Sequence, residues 1–248
     1  MKELFIVHMA RIIRHKLFIA GIALAFALTY WFTYNAGGMD LLHNITTDFD
    51  YSIMASLGIP AFFSVFTPVF LSAEYKGGTI RNKLICGKTR SAVYFSSFLA
   101  ITAAMIMMTA AWAAASVLSA QTLPDAGFIA ASIVKIVFYN TAYITFLVFV
   151  CMMIENEGAV TAIDFMSFQF SLTGVLMMQM MMGAVSEKAG NIIAFIINIL
   201  PLGQWVSNSA IADESIKVSG FIQLILSVMI IVLLSVYGSG KFRKKDIR

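Results

Sequence analysis

Long apolar runs alternate with short polar segments along this chain, and the alternation predicts its architecture. A helix needs about 20 apolar residues to cross the roughly 30 Å hydrocarbon core of a bilayer. Such runs are expected to be helical, because an isolated strand in lipid would leave its backbone groups unpaired. Six of them are predicted to span, at about 17–36, 51–73, 91–119, 128–154, 159–182 and 218–238.

Two further apolar segments are predicted to touch the membrane without crossing it. The stretch IIAFIINILPL at 192–202 is too short to span, so the region 190–208 is interpreted as a re-entrant or surface-lying pair of short helices. The segment 2–16 is amphipathic, which predicts a helix lying in the membrane interface. Its apolar side holds Ile6, Met9, Ile13 and Leu17, and its polar side holds His8, Arg11 and His15.

Composition supports a lipid-embedded protein. Of the 248 residues, 60% are hydrophobic and 12% are charged, whereas a soluble domain is about one-quarter charged. A globule of this size has too little interior to bury that much apolar surface. The expected fold is therefore an all-α integral membrane protein, with one transmembrane domain over 1–248. Cys86 and Cys151 provide neither a disulfide framework nor a cluster of metal ligands.

Charge divides unevenly between the two ends of the expected bundle. Six spans place both termini on one side, and 14 of the 17 basic residues fall there, in the N-terminal segment, the 74–90 loop and the C-terminal tail. The positive-inside rule therefore predicts a multi-pass protein of the cell membrane with both termini in the cytoplasm. The opposite loops hold Lys188 and Lys217 and seven acids: Asp40, Asp48, Asp50, Asp125, Glu187, Asp213 and Glu214.

The polar segment AEYKGGTIRNKLICGKTR at 73–90 is more than a run of bases. Glu74 stands at the end of the second span, and paired glycines after it are predicted to end that helix. Helix-compatible residues then continue to Gly87, so we expect a short helix of about two to three turns, capped by Thr79, across the cytoplasmic mouth. A rigid helix there suits force transfer from a partner; a solvated basic hairpin that only sets topology is the simpler alternative.

The GKT at 87–89 does not indicate a nucleotide site. A Walker A loop has the pattern GxxxxGK[ST], with a strand before it and a helix after it. Asn82 occupies the place of the first glycine, and the preceding segment is the end of a membrane span. We expect this chain to bind no ATP, no cofactor and no nucleic acid. Since His8, His15 and His43 all lie outside the predicted spans, no histidine-based intramembrane site is expected either.

The 74–90 loop resembles the cytoplasmic loop after the second span in permease subunits of type-2 ABC exporters. In that family an acid, then Gly-Thr-Ile-Arg, then a Gly or Pro before a Ser/Thr-Arg pair, forms the coupling helix. LPLGQW at 200–205 is similar to the family's external segment before the last span, and the six-span layout extends the likeness to the whole chain. The short external loops depart from relatives with large external domains. The candidate ATPase-coupling residues are Glu74, Gly78, Thr79, Ile80, Arg81, Asn82, Gly87 and Arg90, with Thr89 completing the pattern.

The resemblance implies a transport subunit that is not itself an enzyme. Such a permease pairs with a second copy or a paralogue and with two separate ATPase subunits, which bind the ATP. The coupling helix sits in a cleft of the ATPase, and closure of the ATPases tilts the permease halves. The implied cargo is an amphipathic peptide or lipid-like molecule, such as an antimicrobial peptide, a bacteriocin or a lipid-like drug, moved in export or self-immunity.

Polar residues inside the spans are candidates for a translocation path, because ionisable groups at membrane depth are usually functional. Lys135 lies about two turns into the fourth span and either snorkels to the interface or lines the outer path. Asp164 lies about one and a half turns into the fifth span and is either hydrated or lines an inner vestibule. Glu155 and Glu157, between these spans, either bond to Arg81 or Lys83 or face water.

A methionine-rich stretch, LMMQMMMG at 176–183, suits a surface that meets varied apolar partners, although methionine also faces lipid commonly. A stand-alone secondary transporter or channel is the alternative, but it would need broken spans that repeat between halves, and Pro60, Pro68 and Pro201 do not repeat in that way. The candidate path residues are Lys135, Asp164, Met178, Gln179, Met181 and Gln204.

Overall fold

The computed structural model describes residues 1–35, 47–209, 216 and 218–245, and its regular elements there are all helical. Six segments are long and apolar enough to cross a membrane, as predicted, so this is a multi-pass helical membrane protein. In chain order the helices are α1 (Lys2–Ile13), α2 (Lys16–Tyr34), α3 (Asp48–Ala55), α4 (Gly58–Lys76), α5 (Thr79–Ile85), α6 (Arg90–Ser119), α7 (Ala126–Met153), α8 (Glu157–Met181), α9 (Glu187–Ile199), α10 (Pro201–Asn208) and α11 (Gly220–Lys244).

The bundle has two ends, which we call the terminal face and the distal face. The terminal face carries α1, α5, the turn between α7 and α8, and the end of α11. Ion pairs hold these parts together: Lys88 Nζ lies 2.7 Å from Glu3 Oε2, and Lys245 Nζ lies 3.2 Å from Glu155 Oε1. The distal face carries the connection between α6 and α7 and the start of α11. Several predicted charges and one histidine lie outside the described residues: Asp40, His43, Asp213, Glu214, Lys217 and Arg248.

The second span is interrupted, whereas a single helix over 51–73 was expected. It consists of α3 and α4, which meet at residues 56–57. Pro60 has no amide hydrogen to donate to the Ser56 carbonyl, so a break there loses no helical hydrogen bond at that position. Two indoles add hydrogen bonds to carbonyls beside the break, which also accept from the Ser56 amide: Trp112 Nε1 donates to Ser52 O at 2.7 Å, and Trp205 Nε1 donates to Ile53 O at 3.2 Å. These bonds attach the break to α6 and α10.

Helices α9 and α10 form a hairpin bent by 109°. The bend follows from the sequence: Pro201 is the first residue of α10, a position where its missing N–H is harmless. Gly203 lets the two helices meet, because a Cβ there would lie 1.9 Å from the carbonyl oxygen of Ile197. Asn208, at the end of α10, bonds to Lys135 of α7. This bond places the end of the hairpin in the distal half of the bundle.

Candidate functional site

The side of α1 expected to be polar faces the protein. Leu4, His8 and Ile12 are buried against the other helices, whereas Ile6 and Ile13 are about half exposed, at 54% and 48%. This orientation follows from a buried carboxylate on α4, which the histidine and an arginine of α1 approach. It leaves the apolar side of α1 open to the surroundings of the bundle.

That carboxylate belongs to Glu74, which is completely buried at the terminal end of α4. Its Oε1 accepts a hydrogen bond from Arg11 and lies 3.3 Å from His8 Nδ1, and its Oε2 accepts from Lys83 Nζ at 2.8 Å. A buried carboxylate is tolerated when charged partners replace its water. The cluster of Glu74, Arg11, His8 and Lys83, which we call the Glu74 cluster, therefore ties α1, α4 and α5 together.

His8 completes this cluster as a neutral ring. Burial lowers the pKa of His8 to about 4; the nearby Glu74 carboxylate opposes that change, and Lys83 and Arg11 add to it. His8 Nε2 lies 3.2 Å from Lys83 Nζ, which can donate only, so this nitrogen is the acceptor. The proton of the neutral ring is then on Nδ1, on the Glu74 side. The uncharged imidazole thus lies between the acid and the base and accepts from Lys83, while its Nδ1 approaches Glu74 without forming a hydrogen bond.

Two glycines set the ends of α5. Gly78 and Gly87 have φ angles of 62° and 78°, in a region that costs other residues about 1–2 kcal/mol. The prediction that Thr79 caps this helix is wrong. Gly78 precedes the helix in the left-handed conformation, Thr79 is the first helical residue, and no side chain caps the N-terminus. Gly78 occupies the capping position and has no side chain that could accept from the amides of the first turn.

The two sides of α5 differ sharply in exposure. Ile80 is 1% exposed and belongs to the main core, and Lys83 points into the Glu74 cluster. Arg81 and Asn82 are exposed, and Ile85 is 72% exposed. Arg81 and Ile85 are four positions apart, so they share one side of the helix. A basic and an apolar side chain, Arg81 and Ile85, are thus exposed together on one side of α5, while Ile80 and Lys83 attach its other side to the bundle.

A cleft of about 550 Å³ opens beside α5 on the terminal face. Arg81 lines one side of it, and the α7–α8 turn lines the other with Glu155 and Glu157. These acids bond to neither Arg81 nor Lys83. Glu155 Oε1 lies 3.2 Å from Lys245 Nζ, and Glu157 Oε2 lies 3.8 Å from Lys76 Nζ. Among the described residues Arg81 has no ion-pair partner, so its charge is available at the rim of the cleft.

The Thr89–Arg90 pair has a structural task at the start of α6. Thr89 Oγ1 accepts from the amide of Ala92 at 3.2 Å and caps the helix. Arg90 donates to the carbonyl oxygen of Lys245, at the end of α11. Lys245 Nζ in turn donates to the Met152 carbonyl at 3.2 Å. Arg90 therefore holds the C-terminal end of α11 against the bundle and does not belong to the exposed side of α5.

A second polar group lies inside the distal half of the bundle. Lys135 Nζ donates to Asn208 Oδ1 at 2.9 Å, and Asn208 Nδ2 donates to Gln223 Oε1 at 2.7 Å. Gln223 Nε2 donates to Asn198 Oδ1 at 2.7 Å, and Gln204 Nε2 donates to the Asn198 carbonyl at 2.8 Å. The network joins α7, α9, α10 and α11. It brings together two predicted path residues, Lys135 and Gln204.

The other predicted path residues do not join this network. The Asp164 side chain is buried between α7 and α8, and its Oδ2 accepts from Cys151 Sγ at 3.2 Å. This burial argues against the hydrated position, one of the two alternatives predicted for it. On α8, Met178 and Gln179 are partly buried and Met181 is 56% exposed. The six candidates therefore do not line one continuous path.

Sequence reasoning missed several partners that the fold brings in from afar. Arg11 and Glu74 are 63 positions apart, and no spacing rule connects them. Asn198, Asn208 and Gln223 gave a weak signal as amides within or beside apolar stretches.

Among the described residues no group of three or more His, Cys, Asp and Glu side chains could hold a metal ion. Comparison with models of known protein families gave no match, and comparison with curated proteins gave none either.

Proposed function

We propose that this chain is the permease subunit of an ATP-driven exporter of the type-2 ABC kind, and that α5 is its coupling helix. The observation that carries the proposal is the construction of α5. The helix is anchored beneath by Ile80 and Lys83 and presents Arg81, Asn82 and Ile85 beside an open cleft. In this proposal the terminal face is cytoplasmic and the protein lies in the cell membrane.

The anchoring makes α5 suited to transmit force. A helix of seven residues is too short to be stable by itself in water, so its tertiary contacts keep it formed. The salt bridge between Lys83 and Glu74 connects it to the end of a span, and the bond from Arg11 connects that span to α1. A push on the exposed side of α5 would therefore reach α4 and α1 together, as a two-state transporter requires.

The proposed transporter contains further subunits and carries an amphipathic cargo. Two separate ATPase subunits bind and hydrolyse ATP, a second permease copy or a paralogue completes the assembly, and this chain performs no chemistry itself. The cargo is an amphipathic peptide, bacteriocin or lipid-like drug, moved in export or self-immunity. Exposed methionines near the distal end of α8 support a surface that accepts varied apolar molecules; Met177, Met180 and Met181 are 60%, 84% and 56% exposed.

A stand-alone secondary transporter or channel is the second candidate, and the break between α3 and α4 favours it. Broken helices often expose carbonyls that bind coupling ions. Here, however, indole N–H groups of Trp112 and Trp205 occupy carbonyls at the break. An ion at those carbonyls would have to displace them, which makes this candidate the weaker one.

A charge reversal on α5 tests the proposal. Arg81→Glu changes an exposed side chain, so the chain should still insert and accumulate, yet lose co-purification of a nucleotide-binding ATPase and its stimulated ATP hydrolysis. Arg14→Glu is the matched control, because it reverses another exposed charge on the same face outside α5. Ile80→Gly is unsuitable, since Ile80 is buried and its loss would damage the core. Equal ATPase recovery and activity in both variants would leave the loop as a topology signal and overturn the proposal.

A further inference from the structure

An apolar groove runs along the outside of α11. Its volume is about 640 Å³, and it is lined from Phe221 to Leu233 on α11 and by Phe138 on α7. These 12 helical steps correspond to a length of about 18 Å. The groove side of α11 is open: Phe221, Val232 and Leu233 are 71%, 53% and 62% exposed. In a bilayer, an acyl chain or another helix must fill it.

The distal end of this groove is positively charged. The Lys135 side chain packs against Gly220, where an added Cβ would lie 2.6 Å from Lys135 Cε and 3.0 Å from its Nζ. Phe138 is one helical turn from Lys135, and Phe221 directly follows Gly220, so the ammonium stands where the groove begins. The N-terminus of α11 has no side-chain cap, and its partial positive charge adds to that of the lysine.

No described carboxylate neutralises this charge. In the part of the chain that the structure covers, Lys135 Nζ donates to the Asn208 side-chain oxygen, which is uncharged. A small cavity of about 60 Å³ adjoins the ammonium; Ser132, Tyr139 and Asn208 line it together with the apolar side chains of Ile53, Phe128, Ile136 and Trp205. The Tyr139 hydroxyl donates to Gln223 Oε1 at 2.8 Å, so the Lys135 ammonium is the group there that attracts an anion.

The level of Lys135 in the bilayer is set by α11. Lys241, near the terminal end of that helix, follows Gly220 by 21 residues, about 31 Å along the axis. This distance matches the roughly 30 Å hydrocarbon core. Gly220 and the adjacent Lys135 ammonium therefore stand at the boundary between hydrocarbon and headgroups on the distal side. That is the level at which lipid phosphates begin.

We propose that this groove is a binding site for an acidic phospholipid of the leaflet on the distal face, with its phosphate at Lys135 and the start of α11 and an acyl chain along α11. A second helix could cover the apolar residues, but an apolar helix would bring no counter-charge to the Lys135 ammonium or to the start of α11. A phosphate supplies that charge and is tethered to a chain that fits the groove. The site does not depend on the proposed transport function.

Native mass spectrometry of the detergent-purified full chain, after delipidation and addition of phosphatidylglycerol or phosphatidylcholine, tests the site. Lys135→Gln should weaken retention of phosphatidylglycerol about fivefold, the effect of one lysine near a lipid surface. Lys188→Gln, an exposed lysine on the same face, is its control. Val228→Trp should obstruct the groove and also lower retention, whereas Val236→Trp, on an exposed part of α11 outside the groove, should not.

The outcomes separate the alternatives. Retention of phosphatidylglycerol that is equal in the Lys135 and Lys188 variants would overturn the site, as would equal retention of phosphatidylcholine and phosphatidylglycerol by the unmodified chain. If Val228→Trp instead converts a dimer to a monomer in the same spectra and leaves lipid retention unchanged, the groove is an interface with a second copy and the lipid proposal fails.

Discussion

At the scale of residues, Glu74 shows what sequence can and cannot predict. Its position at the end of a span, among bases, marked it as unusual. Its partners were not predictable, because Arg11 and His8 come from a helix more than 60 positions away and only packing brings them near. The burial of Glu74 also explains why α1 turns its polar side inward. One buried acid thus fixes the orientation of a whole helix.

His8 should make stability depend on pH. Its pKa is lowered from 6.5 to about 4 in the folded protein, so the stability that the neutral ring contributes is present above pH 6.5 and is lost as the pH falls toward 4. The charged groups facing it are Glu74, Lys83 and Arg11. The full loss is about 3 kcal/mol, at about 1.4 kcal/mol per pKa unit.

Thermal unfolding of the chain in detergent, measured from pH 7.5 to pH 4, checks this expectation. The unmodified chain should lose stability below pH 6.5, and His8→Gln should flatten that part of the curve. A curve of the same slope in both proteins would show that the imidazole is already charged in the folded state.

At the scale of elements, the long helices were easier to predict than the breaks within a span or the side that a short helix buries. The run 51–73 has no charged residue and is apolar on average, so hydropathy could not reveal that α3 and α4 break at 56–57; Gly58 and Pro60 were the available signals. Helix α5 has seven residues, too few for a periodic pattern to identify its buried side. The sequence placed Ile80 among the candidate coupling residues, whereas the structure buries Ile80 and exposes Ile85.

The hairpin of α9 and α10 should depend on Gly203. Gly203→Ala would place a methyl group 1.9 Å from the Ile197 carbonyl oxygen, which the backbone of α9 must move to accept. We expect a loss near the upper end of the range of about 1–3 kcal/mol for overpacked sites. Gly190→Ala is the matched control, because nothing lies within 4 Å of its added methyl. Melting temperatures measured in detergent test this expectation. Equal values for the two variants would disprove the close approach of Gly203 to the Ile197 carbonyl oxygen.

At the scale of the whole molecule, the six long helical segments lie close to the predicted spans, because side chains that face lipid must be mostly apolar. Hydropathy is therefore a direct signal for spans. The packing of those spans depends on shape and on pairs such as Lys135 and Asn208, which are 73 positions apart. The distal network and the groove beside it could therefore not be predicted from the sequence, although Lys135 and Gln204 were both among the predicted path residues.

The topology that the charges predict can be measured with single cysteines. In a chain with Cys86 replaced by serine, cysteines at Ser186 and Ser219, which are exposed on either side of the hairpin, should both react with a membrane-impermeant maleimide in intact cells. A cysteine at Asn82, exposed on α5, should react only after permeabilisation. Labelling of only one of the two serine positions would mean that the hairpin crosses the membrane, and labelling of Asn82 in intact cells would reverse the orientation.

The most direct test of the central claim, that α5 contacts a separate ATPase, is photo-crosslinking in cells of the source organism. A photoreactive residue replaces Ile85, which is 72% exposed on α5, or Ile13, which is 48% exposed on α1 of the same face. Mass spectrometry of the adducts should find a nucleotide-binding ATPase attached at position 85 and absent at position 13. Lipid alone at position 85, or the same proteins at both positions, would contradict the account.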